Sequence, residues 1–124
     1  MQDIRKQKIA IVGISRNPEK YGYKIFRDML QDGLQVMGVN PHEDEVLGAK
    51  IYKSLKDLPE VPDLVITVVP PSVTEKIVDE CKDLGVKAVW MQPGSESDAA
   101  VEKAKKDGIN VIYNACFMVQ HGIW

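Results

Sequence analysis

Lys8-Ile9-Ala10-Ile11-Val12-Gly13-Ile14-Ser15-Arg16-Asn17-Pro18-Glu19-Lys20-Tyr21-Gly22 is the stretch that decides the fold. It opens with a short β-branched apolar run, the composition of a strand buried on both faces, as strands of parallel sheets are. Gly13 closes that strand. Beyond the loop, Gly22, Ile25, Phe26, Met29, Leu30 and Gly33 recur at three- and four-residue spacing, so they line one face of a helix that Gly33 stops. A strand, a glycine-led loop and a helix, in that order, begin a βαβ unit.

Reading outward, the same alternation repeats. Gln35–Val39 is a second strand, stopped by Asn40-Pro41 because proline lacks an amide hydrogen and restricts the residue before it. Residues 50–58 hold a brief extended piece at Ile51-Tyr52 and a helical turn capped by Ser54 that packs Leu55 and Leu58 on the sheet. Residues 63–69 form the third strand. It runs into Pro70-Pro71 and then Ser72-Val73-Thr74-Glu75, a capping-box pattern that starts a helix at Ser72. That helix buries Val73, Ile77, Val78, Cys81 and Leu84 and stops at Gly85. Ala88–Met91 is a fourth strand, 97–107 a helix stopped by Gly108, and 110–113 a fifth strand before the tail 114–124. Strands separated by helices at this spacing predict right-handed crossovers, hence a three-layer α/β fold with helices on both faces of a parallel sheet, here taken as five-stranded in the order 3-2-1-4-5.

Bulk composition agrees with that class. A sequence of 124 residues suits one domain, here 1–124, and 44% apolar with 27% charged residues is the profile of an ordinary globular protein. The net charge of −2 and the lack of a long basic run leave no electrostatic footprint for nucleic acid. Residues 1–7 are polar and no apolar run reaches the roughly 18 residues that cross a bilayer, so no membrane partner is expected. Cys81 and Cys116 then read as reduced thiols of a cytoplasmic protein.

In an open parallel sheet, ligands bind beyond the carboxyl ends of the strands. The loop after strand one suits a pyrophosphate. Gly13 permits close backbone approach, the amides and dipole of the following helix favour an anion, and Ser15, Arg16 and Lys20 can donate to phosphate oxygens. A solvated connecting loop is the competing reading. The nicotinamide fingerprint requires two further glycines and an acid ending strand two, whereas Asn40-Pro41 stands at the acidic position. That argues against an ordinary dehydrogenase while keeping a nucleotide-shaped site. Val69-Pro70-Pro71 is either a rigid apolar wall or only the punctuation that ends a strand, and Gln92-Pro93-Gly94-Ser95 either an amide beside flexible backbone or a plain turn.

Together Gly-Ile-Ser-Arg-Asn-Pro (13–18), Val-Asn-Pro (39–41), Val-Val-Pro-Pro (68–71) and Trp-Met-Gln-Pro-Gly (90–94) closely resemble the CoA-binding domain family of small bacterial and archaeal proteins. That family is similar to the nucleotide-binding domain of the succinyl-CoA synthetase α subunit. The resemblance covers nearly the whole chain and implies a Rossmann-like fold with coenzyme A or an acyl-CoA as ligand. It puts the phosphates near Gly13, Ile14, Ser15, Arg16 and Lys20, and the adenosine and pantetheine portions near Asn40, Pro41, Val69, Pro70, Gln92 and Gly94. The family's C-terminal Cys and His correspond to Cys116 and His121, but Gln120 stands where an acid commonly precedes that His. The synthetase's phosphorylated histidine lies on a further domain, so the expectation here is binding without turnover, for sensing, storing or delivering the ligand or regulating a partner.

Cys116 follows strand five on the binding edge, where it is either within reach of a CoA thiol or a small core residue. With His121 it supplies two groups, short of the three or four ligands of a zinc site. His42, beside Glu43, Asp44 and Glu45, reads as a solvated loop histidine, and Cys81 as core. Two alternatives stay open: an NAD(P)-binding redox sensor or enzyme, and an interaction module that forms a homo-oligomer through exposed tail residues Phe117, Met118, Ile123 and Trp124.

Overall fold

The structure is a computed structural model and describes residues 3–124; Met1 and Gln2, the start of the polar segment 1–7, lie outside the described residues. The elements run β1 (Lys8–Val12), α1 (Tyr21–Gln31), β2 (Gln35–Val39), β3 (Glu45–Val46), β4 (Ala49–Tyr52), β5 (Leu64–Thr67), α2 (Pro71–Leu84), β6 (Ala88–Met91), α3 (Asp98–Lys106), β7 (Asn110–Ile112) and α4 (Phe117–Gln120). The strands form one sheet in the order β3-β4-β2-β1-β5-β6-β7, parallel throughout except for the β3–β4 hairpin. β1 sits at the centre because its apolar run serves both faces: Ile9 and Ile11 enter one core, Ala10 and Val12 the other. α1 and α4 cover the first face, and α2 and α3 the second. This is a Rossmann-like α/β fold with a parallel-dominated sheet.

The expected five strands in the order 3-2-1-4-5 are corrected in number and order. The long apolar strand β5 pairs with β1, Ile9 against Leu64 through Val12 against Thr67, and does not lie beyond β2. The place beyond β2 belongs to β4, with Gly38 opposite Ile51 and Val39 opposite Tyr52. Read with β4 as third strand, the six parallel strands follow the dinucleotide-fold order 3-2-1-4-5-6. The hairpin escaped notice because its strands are two and four residues long, too short for a hydrophobic period. Its turn, Leu47-Gly48, also lacks the Asn-Gly signal, although both residues have the positive φ (54° and 78°) that a two-residue hairpin turn demands.

Local expectations shift for identifiable reasons. α2 starts at Pro71, with Pro70 as N-cap and no side-chain cap, so the capping box at Ser72 does not form. Proline at the first helical position is pre-set for helix entry, and the amides of Val73 and Thr74 both turn back to the Pro70 carbonyl. Ser54 bonds the Asp57 carboxylate at 2.8 Å instead of capping its turn. β5 is shorter than 63–69: at one end the Asp63 carboxylate, not its carbonyl, accepts the Lys8 amide at 2.8 Å, and at the other the Val68 amide still donates to the Val12 carbonyl at 2.9 Å but the strand stops at Thr67. α3, in contrast, is capped as read: Ser97 Oγ accepts from the Ala100 amide at 3.0 Å. β7 ends at Ile112, one residue early, and the tail then folds into α4. Phe117 and Met118 are fully buried there, which corrects the expectation of an exposed apolar tail; Ile123 is half-buried and only Trp124 remains exposed. No helix among the described residues is long and apolar enough to cross a membrane.

Candidate ligand-binding site

The chain proceeds from β1 through α1 to β2 over one face, and from β5 through α2 and α3 to β7 over the other. The strand order therefore reverses between β1 and β5, and the crevice of a doubly wound sheet opens at that point. Gly13 occupies it with φ +109°, and its amide donates to the Val39 carbonyl at 2.9 Å. A Cβ at Gly13 would lie 2.2 Å from the Val68 carbonyl oxygen and 2.9 Å from Val69 Cγ1. A Cβ at Gly22, on the first turn of α1, would lie 2.1 Å from the Gly13 carbonyl oxygen. The loop after β1 is thus clamped between the exit of β5 and the start of α1, with no room for a side chain at either contact.

Two clefts flank this clamp. The first, of about 350 Å³, has Gly13, Asn40, Pro41 and Val69 on the sheet edge, with Val73, Lys76, Ile77 and Glu80 of α2 facing them. His42, Lys53, Ser54 and Leu55 complete it. The second, of about 440 Å³, lies on the α1/α4 side between Tyr21, Ile25, Val68, Gln92, Pro93, Cys116, Val119 and Trp124. Val68 and Val69 are consecutive, yet they line different clefts, because alternate residues of an extended chain face opposite ways.

Asn40 brackets the two loops of the first cleft. Its Nδ2 donates to the Ile14 carbonyl at 2.6 Å and its Oδ1 accepts the His42 amide at 2.8 Å. Ile14 itself is fully buried in the core, so only its backbone faces the loop. Ser15 Oγ accepts the Asn17 amide at 3.1 Å. The Arg16 guanidinium projects into solvent, while the Arg16 amide donates to Glu43 Oε2 at 2.9 Å and its Nε lies 3.5 Å from Glu43 Oε1. A carboxylate therefore already occupies one of the loop's anion-binding amides. Lys20 is the N-cap of α1 and provides no side-chain cap, which leaves the helix start open to an exogenous anion.

Gly13, Asn40, Pro41 and Val69 converge on the first cleft, and Gln92 lines the second. Ser15, Arg16 and Lys20 stand on the loop between β1 and α1, outside both walls, and Pro70 is exposed at the start of α2. Gly94, φ +94°, donates its amide to Glu96 at 2.9 Å in the turn after β6. Gln92 is turned inward: Oε1 accepts the Phe117 amide at 2.7 Å and Nε2 approaches Cys116 Sγ at 3.4 Å.

Sequence reasoning missed Lys53, Lys76 and Glu80. Lys53 bonds Asp44 at 2.6 Å, holding that carboxyl below the usual range. Lys76 forms no ion pair among the described residues, and Glu80 Oε2 is buried without a hydrogen-bond partner. The signal was present in Val73-Lys76-Ile77-Glu80, whose spacing puts two charged groups on the flank of the buried stripe. His121 lies outside both clefts, its ring 4.4 Å from Phe117 and 5.6 Å from Trp90, and burial lowers its pKa. Among the described residues no group of three or more His, Cys, Asp or Glu is placed to hold a metal ion.

Comparison with known proteins points the same way. Residues 7–122 match the CoA binding domain family. The ADP-forming acetate–CoA ligase II α subunit of Pyrococcus furiosus is 36% identical over 119 residues, 87% of this chain and 26% of the subunit, so the chain spans about a quarter of that relative. An uncharacterised Bacillus subtilis protein is 29% identical over 96% of this chain and 88% of its own length. Among solved structures, a conserved hypothetical protein from Pyrococcus furiosus superposes with a TM-score of 0.88 at 41% identity, covering 92% of this chain and 98% of that one. The chain belongs to the CoA binding domain family, related to the CoA-binding region of ADP-forming acetate–CoA ligases.

Proposed function

We propose that residues 1–124 act as one domain that binds coenzyme A or an acyl-CoA across the β1–β5 switch point, without turnover. The observation that carries this reading is the pair of clefts on either side of the Gly13 contact with Val68-Val69, the first lined by Val69 and the second by Val68, an arrangement suited to a long ligand with two chemically different ends. The adenosine end fits the first cleft, between the apolar side chains of Val69, Val73 and Ile77. There Glu80 Oε2, an acceptor without a partner, suits the adenine amino group, and Lys76 suits the 3′-phosphate. The pyrophosphate rests on the loop from Gly13 to Arg16 and the uncapped start of α1, with Arg16 and Lys20 as exposed cations. The pantetheine arm then passes Val68 into the second cleft, beside Gln92. An NAD(P) reading fits less well, because Asn40 stands where an acid would accept from a ribose diol, and its one acceptor oxygen already takes the His42 amide.

Calorimetric titration with CoA, 3′-dephospho-CoA and NAD tests the proposal. Saturable CoA binding, weakened by loss of the 3′-phosphate and by Lys76→Ala, is expected. Binding of NAD in preference to CoA, or of neither, overturns it.

A further inference from the structure

The second cleft differs in chemistry from the first. Its wall combines Ile25, Val68, Pro93, Val119 and Trp124, and no charged side chain lines it. Tyr21, Val119 and Trp124 at its mouth are 65%, 58% and 44% exposed, so three of the five large hydrophobic side chains exposed among the described residues gather at one opening. Clustered exposed apolar surface marks a binding site more often than scattered residues do. The rim is also anchored: Trp124 Nε1 donates to Asp28 at 2.6 Å, and the Trp124 and Tyr21 rings stand 6.2 Å apart. Inside, Gln92 is 5% exposed, with Oε1 taken by the Phe117 amide and one Nε2 hydrogen turned to Cys116 Sγ. An amide nitrogen carries two hydrogens, so one donor remains for a ligand carbonyl.

Resting on the CoA reading above, we propose that this cleft is an acyl subsite that selects neutral aliphatic acyl groups carried as thioesters. The volume of about 440 Å³ falls within the range of small-molecule sites. Val69 lines the first cleft and its neighbour Val68 lines this one, so the far end of a CoA-like ligand seated in the first cleft has only the width of the chain to cross to reach it. Gln92 donates to the thioester carbonyl, and the acyl chain lies on Ile25, Val68, Val119 and Trp124. A terminal carboxylate, as in a dicarboxylic acyl group, would lose its hydration without meeting a cation on this wall.

The test is calorimetric titration of the full chain with CoA, acetyl-CoA, butyryl-CoA and succinyl-CoA, repeated on Val119→Glu, with sedimentation velocity on both proteins. Each buried methylene is worth roughly fourfold in affinity, so butyryl-CoA, with two more, is expected to bind about fifteenfold more tightly than acetyl-CoA. Succinyl-CoA is expected to bind more weakly than butyryl-CoA, and Val119→Glu to bring the ratio of butyryl-CoA to CoA affinity down to about one. CoA binding with no gain from the acyl chain, or preference for succinyl-CoA, overturns the acyl subsite and leaves the CoA reading intact. No binding of any of the four ligands overturns the CoA reading, and the subsite with it. A dimer that Val119→Glu dissociates assigns the apolar mouth to a second copy of the chain and also overturns the subsite.

Discussion

The substitution Asn40→Asp exchanges an NH2 group for an oxygen and removes the donor of one hydrogen bond. The Oδ1 bond from the His42 amide survives, but the 2.6 Å contact of Nδ2 with the Ile14 carbonyl becomes a contact between two oxygens. Removing the donor leaves a half-buried carbonyl unsatisfied, at about 1–3 kcal/mol, and the carboxylate charge adds repulsion, so about 2–3 kcal/mol of destabilisation is expected at neutral pH. A protonated carboxyl can donate where Nδ2 did, so the folded variant holds that proton more tightly than the unfolded chain, and the pKa of the introduced carboxyl is raised on folding. Between the ordinary carboxylate value and the raised one, the native state binds more protons, and the variant loses stability as pH rises. Urea denaturation of both proteins across acidic to neutral pH measures the difference. The deficit should be small at about pH 4 and should grow toward pH 7. A deficit that does not vary with pH, or none at all, would refute the bracket assigned to Asn40.

Leu47 is a branched residue at φ 54°, so Leu47→Asn should stabilise the fold by about 0.5–1 kcal/mol, read as a higher thermal midpoint; a lower midpoint means that Leu47 packs usefully despite its strain. Gly13→Ala should cost about 3 kcal/mol or more, since its Cβ would meet backbone at 2.2 Å at a φ that alanine avoids; near-neutral denaturation would show that the loop clamp yields. Glu43→Gln removes the negative charge bound at the Arg16 amide and should tighten CoA binding about three- to tenfold by calorimetry, unless Glu43 serves only to order its loop. Burial pushes the Cys81 thiol up to about 12, so native chain treated with iodoacetamide near pH 8 should be alkylated at Cys116 and spared at Cys81 by peptide mass mapping. The same raised thiol gives stability that is present below the ordinary thiol value and lost as pH rises through about 12, a slope that Cys81→Ala should flatten.

The parts legible from sequence were those with long, periodic apolar patterns. β1, α1, β2, β5, α2, β6 and α3 all announce themselves through residues such as Ile9, Phe26, Ile66 and Val78 that serve a two-sided core. What escaped was short or decided by tertiary contact. Of β4 only the extended piece Ile51-Tyr52, which pairs with β2, was legible, and α4 is held by Phe117 against Trp90, with centroids 5.2 Å apart, in a pattern too short to be read alone. At the switch point, Gly13, Asn40 and Val69 could be placed from strand ends. The inward turn of Gln92 toward the Phe117 amide could not, because it depends on a helix formed 25 residues later. Lys76 and Glu80 face the first cleft only because Pro71 fixes where α2 begins.

The same short elements decide how the sheet ends. At one border stands β3 with two residues, at the other β7 with three, although the strands between them are almost wholly apolar. An approaching chain finds too few aligned amides and carbonyls at either border to extend the sheet, and at one of them it meets the exposed Glu45. The hairpin that hid from the sequence pattern thus acts as a terminator, shielding an aggregation-prone parallel core from templated growth into fibrils without a covering helix.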